Sequence, residues 1–333
     1  MVSAEYTSRY TVGAYAASPN LFSWDENLEL KFYNKLKKLH LIRGLELPFW
    51  GESLHPFDDQ WLLSNIDPMW ENILTCVPGT MEELKKDPYF GLASIDKKAR
   101  TKALNFYRIA FDCISTLKKN FGEKSVIGIT LTSSPCINKK ENYGNKDSFF
   151  LSMVELSSWD WGNTKIYIEH CDALTKSNPY PQKGFLSLNE EVDVLNQVNY
   201  KYKRDINIII NWGRSVIENK SIDGPIKHIK YGKNENILAG VMFSGTTESD
   251  DNLYGAWSDL HMPPATHSNY MNFEPDSLMT YENIKNTLKE CDIKSLNILG
   301  LKVLALPKES SLDKRIGIIS DTMDLLEEII SEL

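Results

Sequence analysis

The chain has 333 residues, 42% hydrophobic and 25% charged, the balance of a globular protein with ample material for a large core. Its 45 acidic against 37 basic side chains give a formal charge of −8, which argues against a surface that tracks phosphates, so nucleic acid is not an expected partner. No window approaches the ~18 uninterrupted apolar residues of a membrane span, so no membrane partner is expected either. The first ten residues lack the basic-then-apolar pattern of a secretory signal, and five scattered cysteines without a CxxC pair read as reduced thiols. The expected location is the cytoplasm.

In chain order, eight short β-type segments recur, nearly all separated by helical stretches. The first is 10–17 (YTVGAYAA), followed by a helical run over 26–40; the second is 41–49 (LIRGLELPF), with a helix around 58–65. The third is 72–80 (NILTCVPGT), and a long helix with apolar residues at helical spacing covers 95–120 before the fourth, 126–134 (VIGITLTSS). A helix at 148–158 precedes the fifth, 165–173 (KIYIEHCDA), and one at 188–200 precedes the sixth, 206–214 (INIIINWGR). The seventh is 237–245 (ILAGVMFSG), the eighth 296–307 (LNILGLKVLALP), and a last helix spans 312–333.

Alternating strands and helices imply parallel strands joined by right-handed crossovers. Eight near-continuous apolar strands fit closure into a (β/α)8 TIM barrel, expected as a single domain over 1–333. An open doubly wound sheet would call for a Gly-rich dinucleotide loop, and no GxGxxG occurs.

Such barrels carry their active sites at the C-terminal strand ends, and there this sequence turns polar. Strand five ends in Glu169, His170 and Asp172; strand six ends in Asn211, Trp212 and Arg214. The loop after strand seven carries Trp257, Asp259 and His261. A strand-end Asp or Asn often only caps the next helix, and a lone His is often a satisfied structural group. The bland reading is weaker for Glu169. Alternation sets it opposite Ile168, inside the mouth, where a carboxylate needs a partner. Glu46 alternates with Leu45 and Leu47 and is expected to point inward as well, with Arg214 or Lys302 as candidate partners. Aromatic walls with a few oriented polar groups suit a sugar ring, although large aromatics also simply seal barrel tops.

The segments VGAYAASP, GLELPF, LTCVPGT, IEHCDA, INWGRS and YGAWSDLHMPP together resemble a bacterial family known only as a domain of unknown function. That family is similar to the xylose isomerase-like barrels, which include sugar isomerases, hydroxypyruvate isomerases, sugar epimerases and apurinic endonucleases. The resemblance implies a divalent metal, Mn, Mg or Zn, at the strand ends. Glu169 matches the strand-five ligand, and Asp259-x-His261 resembles the Asp-x-His after strand seven in the endonucleases. The pattern departs at Asn211-x-x-Arg214, at Ser244 and at Lys302, and Arg has no lone pair for a metal. A degenerate metal set of Glu169, Asp259 and His261 remains.

The leading expectation is a sugar isomerase- or epimerase-like enzyme of carbohydrate metabolism. Its catalytic candidates are Glu169, His170, Glu46 and Arg214, with Asn211, Asp172, Trp212 and Trp257 binding a small sugar or polyol. The alternatives are a glycoside hydrolase using paired carboxylates, Glu46 with Glu169 or Glu169 with Asp259, and a sugar-binding barrel without chemistry.

Overall fold

A computed structural model describes residues 9–20, 23–137, 142–267 and 269–333. The strands are β1 (Tyr10–Val12), β2 (Ile42–Pro48), β3 (Asn72–Thr75), β4 (Val126–Leu131), β5 (Lys165–His170), β6 (Asn207–Asn211), β7 (Leu238–Phe243) and β8 (Ile298–Leu301). All pair parallel with their sequence neighbours, and β8 pairs with β1, so the barrel closes. Around it run α1 (Glu26–Leu36), α2 (Asp59–Asn65), α3 (Val77–Lys86), α4 (Lys97–Phe121), α5 (Lys146–Ser157), α6 (Leu188–Tyr202), α7 (Trp212–Asn219), α8 (Gly224–Asn234), α9 (Tyr281–Glu290) and α10 (Leu312–Ser331). No helix among the described residues is long and apolar enough to cross a membrane.

Most strands stop earlier than their apolar runs. The third was expected to reach residue 80 but yields to α3 at Val77, where Pro78 sits in the first turn and loses no helical hydrogen bond. The sixth ends at Asn211, whose side chain accepts a hydrogen bond from the Arg214 amide and caps α7. The first ends at Val12; the Gly13 amide donates to the Leu301 carbonyl, and the chain turns into a short 3-10 helix, Ala14–Ala17. Helices α8 and α9 had no counterpart in the sequence reading. The Gly224-Pro225 pair that opens α8 looks like a turn signal, yet Pro is well tolerated in a first turn.

Two layers fill the barrel. The lower is apolar, with Ile73, Tyr167, Ile209 and Ile298 contributed by different strands. Gly128 makes room for it, since a Cβ there would lie 2.5 Å from the Tyr167 ring. Two residues further along the same strands, alternation brings up Thr75, Thr130, Glu169 and Asn211, and four residues beyond Ile298, just past β8, Lys302, all buried. This polar layer is the floor of the site.

Candidate active site

The polar layer is organised as a row of charges. Glu46 Oε2 lies 2.7 Å from Lys302 Nζ, which is 4.0 Å from Glu169 Oε1. Glu169 Oε1 lies 2.8 Å from Arg214 Nη1, and Arg214 Nε donates to Asp259 Oδ2 at 2.9 Å. Lys183 Nζ then reaches Asp259 Oδ2 at 2.6 Å and Asp172 Oδ1 at 3.6 Å. Sign alternates at every step from Glu46 to Asp172. Asn211 fixes the centre, donating from Nδ2 to Glu169 Oε1 at 3.2 Å while its Oδ1 caps Arg214.

Burial would raise every carboxylate, and the neighbours decide which ones it does raise. At Glu46 burial prevails over the pull of Lys302, and the carboxyl is raised above its usual range. At Glu169 burial is overcome by Arg214 and Lys302, and the carboxyl is lowered. Asp259 is held well below the carboxylate range, against burial, by Arg214 and Lys183. Burial pushes the His261 imidazole down to about 3, so it is neutral; its Nδ1 lies 2.8 Å from Ser244 Oγ.

The Glu169 and Glu46 carboxylates are both fully enclosed, and residue Glu46 also lines a cavity of about 230 Å³ between the segment after β1, α1, β2 and the loop after β2. Tyr15, Trp24, Trp50, His55 and Phe57 supply its aromatic wall. Trp24 and Phe57 stack with centroids 5.1 Å apart, and Lys302 Nζ sits 5.4 Å from the centre of the Tyr15 ring.

The structure thus gathers Glu46, Glu169, Asn211, Arg214, Asp172, Asp259 and His261 around the mouth. It does not bring His170 or Trp212 there. His170 alternates with Glu169 and points outward, its Nδ1 2.7 Å from Glu191 and its Nε2 2.9 Å from Glu218. The period-two argument that turns Glu169 inward turns His170 out, and expecting both at the mouth ignored it. Trp212 is fully buried against the helices, its indole N–H donating to Thr287 at 3.0 Å. Trp257 is half-buried with its ring 4.7 Å from Lys220 Nζ. Sequence reasoning missed Lys183 and Tyr15. Lys183 reaches the site from the loop after β5, where no periodicity points to it.

The metal set Glu169, Asp259 and His261 does not fit a divalent ion. The Arg214 guanidinium stands between the two carboxylates, Lys183 and Lys302 flank them, and His261 Nδ1 is 3.4 Å from Asp259 Oδ1. An ion placed there would face three cations. Among the described residues, the donors that do converge are His170, Glu218 and His228, on the outer side of β5.

The closed eight-stranded parallel barrel is the fold of the xylose isomerase-like barrels. A putative xylose isomerase from Rhodospirillum rubrum superposes with a TM-score of 0.61 at 9% identity, covering 97% of this chain and 99% of that one. The 3-keto-D-glucoside 4-epimerase YcjR from E. coli superposes with a TM-score of 0.58 at 11% identity, over 97% and 99%. At such identities the likeness establishes the fold alone. Residues 11–318 match the family model described as a domain of unknown function, DUF4862, and the chain belongs to that family. Uncharacterized protein STM3670 of Salmonella typhimurium strain LT2 is 34% identical over 320 residues, 96% of this chain and 97% of that protein.

Proposed function

We propose that this chain is a cytoplasmic enzyme that moves a proton on a small, uncharged sugar or polyol, as an isomerase or epimerase. The observation that carries this reading is the divergence of two neighbouring carboxyls, Glu46 raised and Glu169 lowered, with Lys302 between them. Environments that push paired carboxyls apart are how one site holds an acid–base group beside a fixed negative charge. Glu46, although its side chain is closed off from solvent, is the carboxyl residue of the pair that lines the aromatic cavity, and we assign it as the group that meets substrate there. In its ionised form Glu46 takes the proton from the carbon next to a carbonyl, and the electron pair moves to the carbonyl oxygen. The Lys302 ammonium, 2.7 Å from Glu46, stabilises the resulting enediolate. Return of the proton to the former carbonyl carbon, with the hydroxyl proton passing from one substrate oxygen to the other, isomerises the sugar; protonation of the first carbon on its other face by solvent, with the Glu46 proton released to solvent, epimerises it.

The charge balance supports a neutral substrate. Four carboxyls (Glu46, Glu169, Asp259, Asp172) accompany three cations (Lys302, Arg214, Lys183), which leaves no positive surplus for a phosphate ester. The aromatic wall gives a sugar ring the apolar face it stacks on. Resemblance in fold to an epimerase and a putative sugar isomerase supports the same class. Glycoside hydrolysis by Glu169 and Asp259 is disfavoured because both carboxyls are lowered, leaving no proton donor, whereas the Glu46–Glu169 pair, one raised and one lowered, keeps hydrolysis as the second reading.

The test is exchange in D2O. The chain is incubated with a panel of free aldoses and ketoses, and deuterium at the carbon beside the carbonyl is read by NMR. Incorporation from at least one sugar, lost in Glu46→Gln, is the expected result. A wild-type chain that exchanges none, or a Glu46→Gln variant that exchanges as fast, overturns the reading.

A further inference from the structure

Behind β5, on the side away from the mouth, lies a second buried cluster for which the proposed chemistry has no use. His170 ends β5, Glu218 lies in the last turn of α7, and His228 faces them from α8. His170 Nε2 is 2.9 Å from Glu218 Oε2, and His228 Nε2 is 3.4 Å from Glu218 Oε1. One donor atom from each of the three lies within 4.8 Å of the other two.

We propose that His170, Glu218 and His228 form a binding site for one divalent transition-metal ion, with a donor set that suits zinc.

Three features carry this. First, both imidazoles are oriented through their other nitrogen. Glu191 Oε2 takes His170 Nδ1 at 2.7 Å, and Ser215 Oγ takes His228 Nδ1 at 2.9 Å. A ligating histidine nearly always hands its second N–H to a carboxylate or another acceptor, which fixes the tautomer and aims the free lone pair. Glu191 is itself held, by Ser133 Oγ at 2.5 Å. The Asn219 amide, 3.3 Å from His228 Nε2, is the contact an ion would displace there.

Second, the spacing suits a small ion. Ligand bonds of about 2.0–2.2 Å in a tetrahedron put donor atoms about 3.3 Å apart. Each imidazole Nε2 already lies within 3.4 Å of a Glu218 carboxylate oxygen, His170 of Oε2 and His228 of Oε1, and the three donor atoms lie within 4.8 Å of one another.

Third, a divalent ion can take over the positive charge that the His170 imidazole, set between Glu191 and Glu218, supplies in its absence. Glu191 and Glu218 are both buried, and neither has a Lys or Arg partner among the described ion pairs. A divalent ion with two neutral imidazoles balances the two carboxylates in place. Two histidines and a carboxylate leave a fourth position for water. The ion would clasp β5, α7 and α8. Glu169 directly precedes His170, and Arg214 lies one turn before Glu218, so it would act on the site as a positioning element.

The test uses the full chain stripped with EDTA and titrated calorimetrically with Zn2+ alone. One ion per chain is expected. His228→Gln and Glu218→Gln should each bind at least 100-fold more weakly, Ser215→Ala about 10-fold more weakly, and Asp259→Asn as the wild type. X-ray absorption of the zinc-loaded wild type needs no variant; it should show nitrogen and oxygen neighbours at about 2.0–2.2 Å. Failure of the stripped wild type to take up Zn2+ would overturn the proposal. So would undiminished binding by a folded His228→Gln variant, loss of binding in Asp259→Asn, or sulfur in the metal's coordination shell.

Discussion

Lys302 Nζ stands 2.7 Å from Glu46 Oε2, with both side chains closed off from solvent. Buried pairs add little net stability, but removing one partner leaves an uncompensated charge, and that typically costs about 3–5 kcal/mol. Lys302→Met is therefore expected to destabilise the chain by about that amount in urea unfolding. The double variant Lys302→Met/Glu46→Gln should recover most of the loss. A single variant as stable as the wild type would show that the pair is not held in this form.

Arg214 serves two carboxylates at once, Glu169 through Nη1 and Asp259 through Nε. A lysine keeps the charge and cannot reproduce the planar fork. Arg214→Lys should cost about 2–4 kcal/mol, since one buried carboxylate loses its donor. Asp259 has Lys183 as a second cation at 2.6 Å, whereas Glu169 keeps only the Asn211 amide at 3.2 Å and Lys302 at 4.0 Å, so Glu169 is the carboxylate that loses more. Glu169→Gln placed in the Arg214→Lys background should then cost less than it does alone, which a double-mutant cycle measures.

Much of this site was legible in the sequence, because period two is a strict geometric rule. It set Glu46 and Glu169 inside the mouth, and Asn211 and Arg214 followed from the polar turn at the end of the sixth apolar run. His170 was misplaced because polarity at a strand end was allowed to outweigh that rule. Lys183 was hidden because loops have no period, and its partners Asp172 and Asp259 lie 11 and 76 residues away. The outer cluster was hidden for a related reason. Glu191, Glu218 and His228 sit on three different helices, each of which reads locally as an ordinary polar position. Strand ends were overextended wherever an apolar run continued into a helix, as at Val77 and Trp212, because apolar runs do not distinguish a strand from the buried first turn after it.

Gly13 tests whether the charge row bears on chemistry separately from stability. A Cβ there would lie 2.8 Å from Lys302 Cγ and 2.9 Å from Glu46 Oε2. The backbone φ is −74°, so alanine meets no conformational strain, only this contact. Gly13→Ala should fold with a modest overpacking cost of about 1–3 kcal/mol. It should also displace the pair and lower sugar deuterium exchange by at least 10-fold. Full exchange in a folded Gly13→Ala variant would mean that the Glu46–Lys302 geometry does not govern the reaction.

His55, on the cavity wall, supplies the pH dependence. Burial pushes its imidazole down to about 4, against the opposing pull of Asp59 and Asp58. The hydrogen bonds explain why the neutral form is required: Nδ1 accepts from the amides of Phe57 at 3.3 Å and Asp58 at 3.0 Å, and a protonated ring could accept neither. With the unfolded value near 6.5, both states are neutral above that pH and the residue has no effect on stability there. As pH falls from about 6.5 to about 4, the unfolded chain takes up a proton that the folded chain refuses, so stability declines across that window and levels off below it. Because the residue is only half-buried, solvent screening reduces the loss to about 1–2 kcal/mol. An NMR titration should place the His55 midpoint near 4, and His55→Gln should flatten that part of the stability profile. A midpoint at 6 or above would show that the amides of Phe57 and Asp58 do not hold the ring neutral.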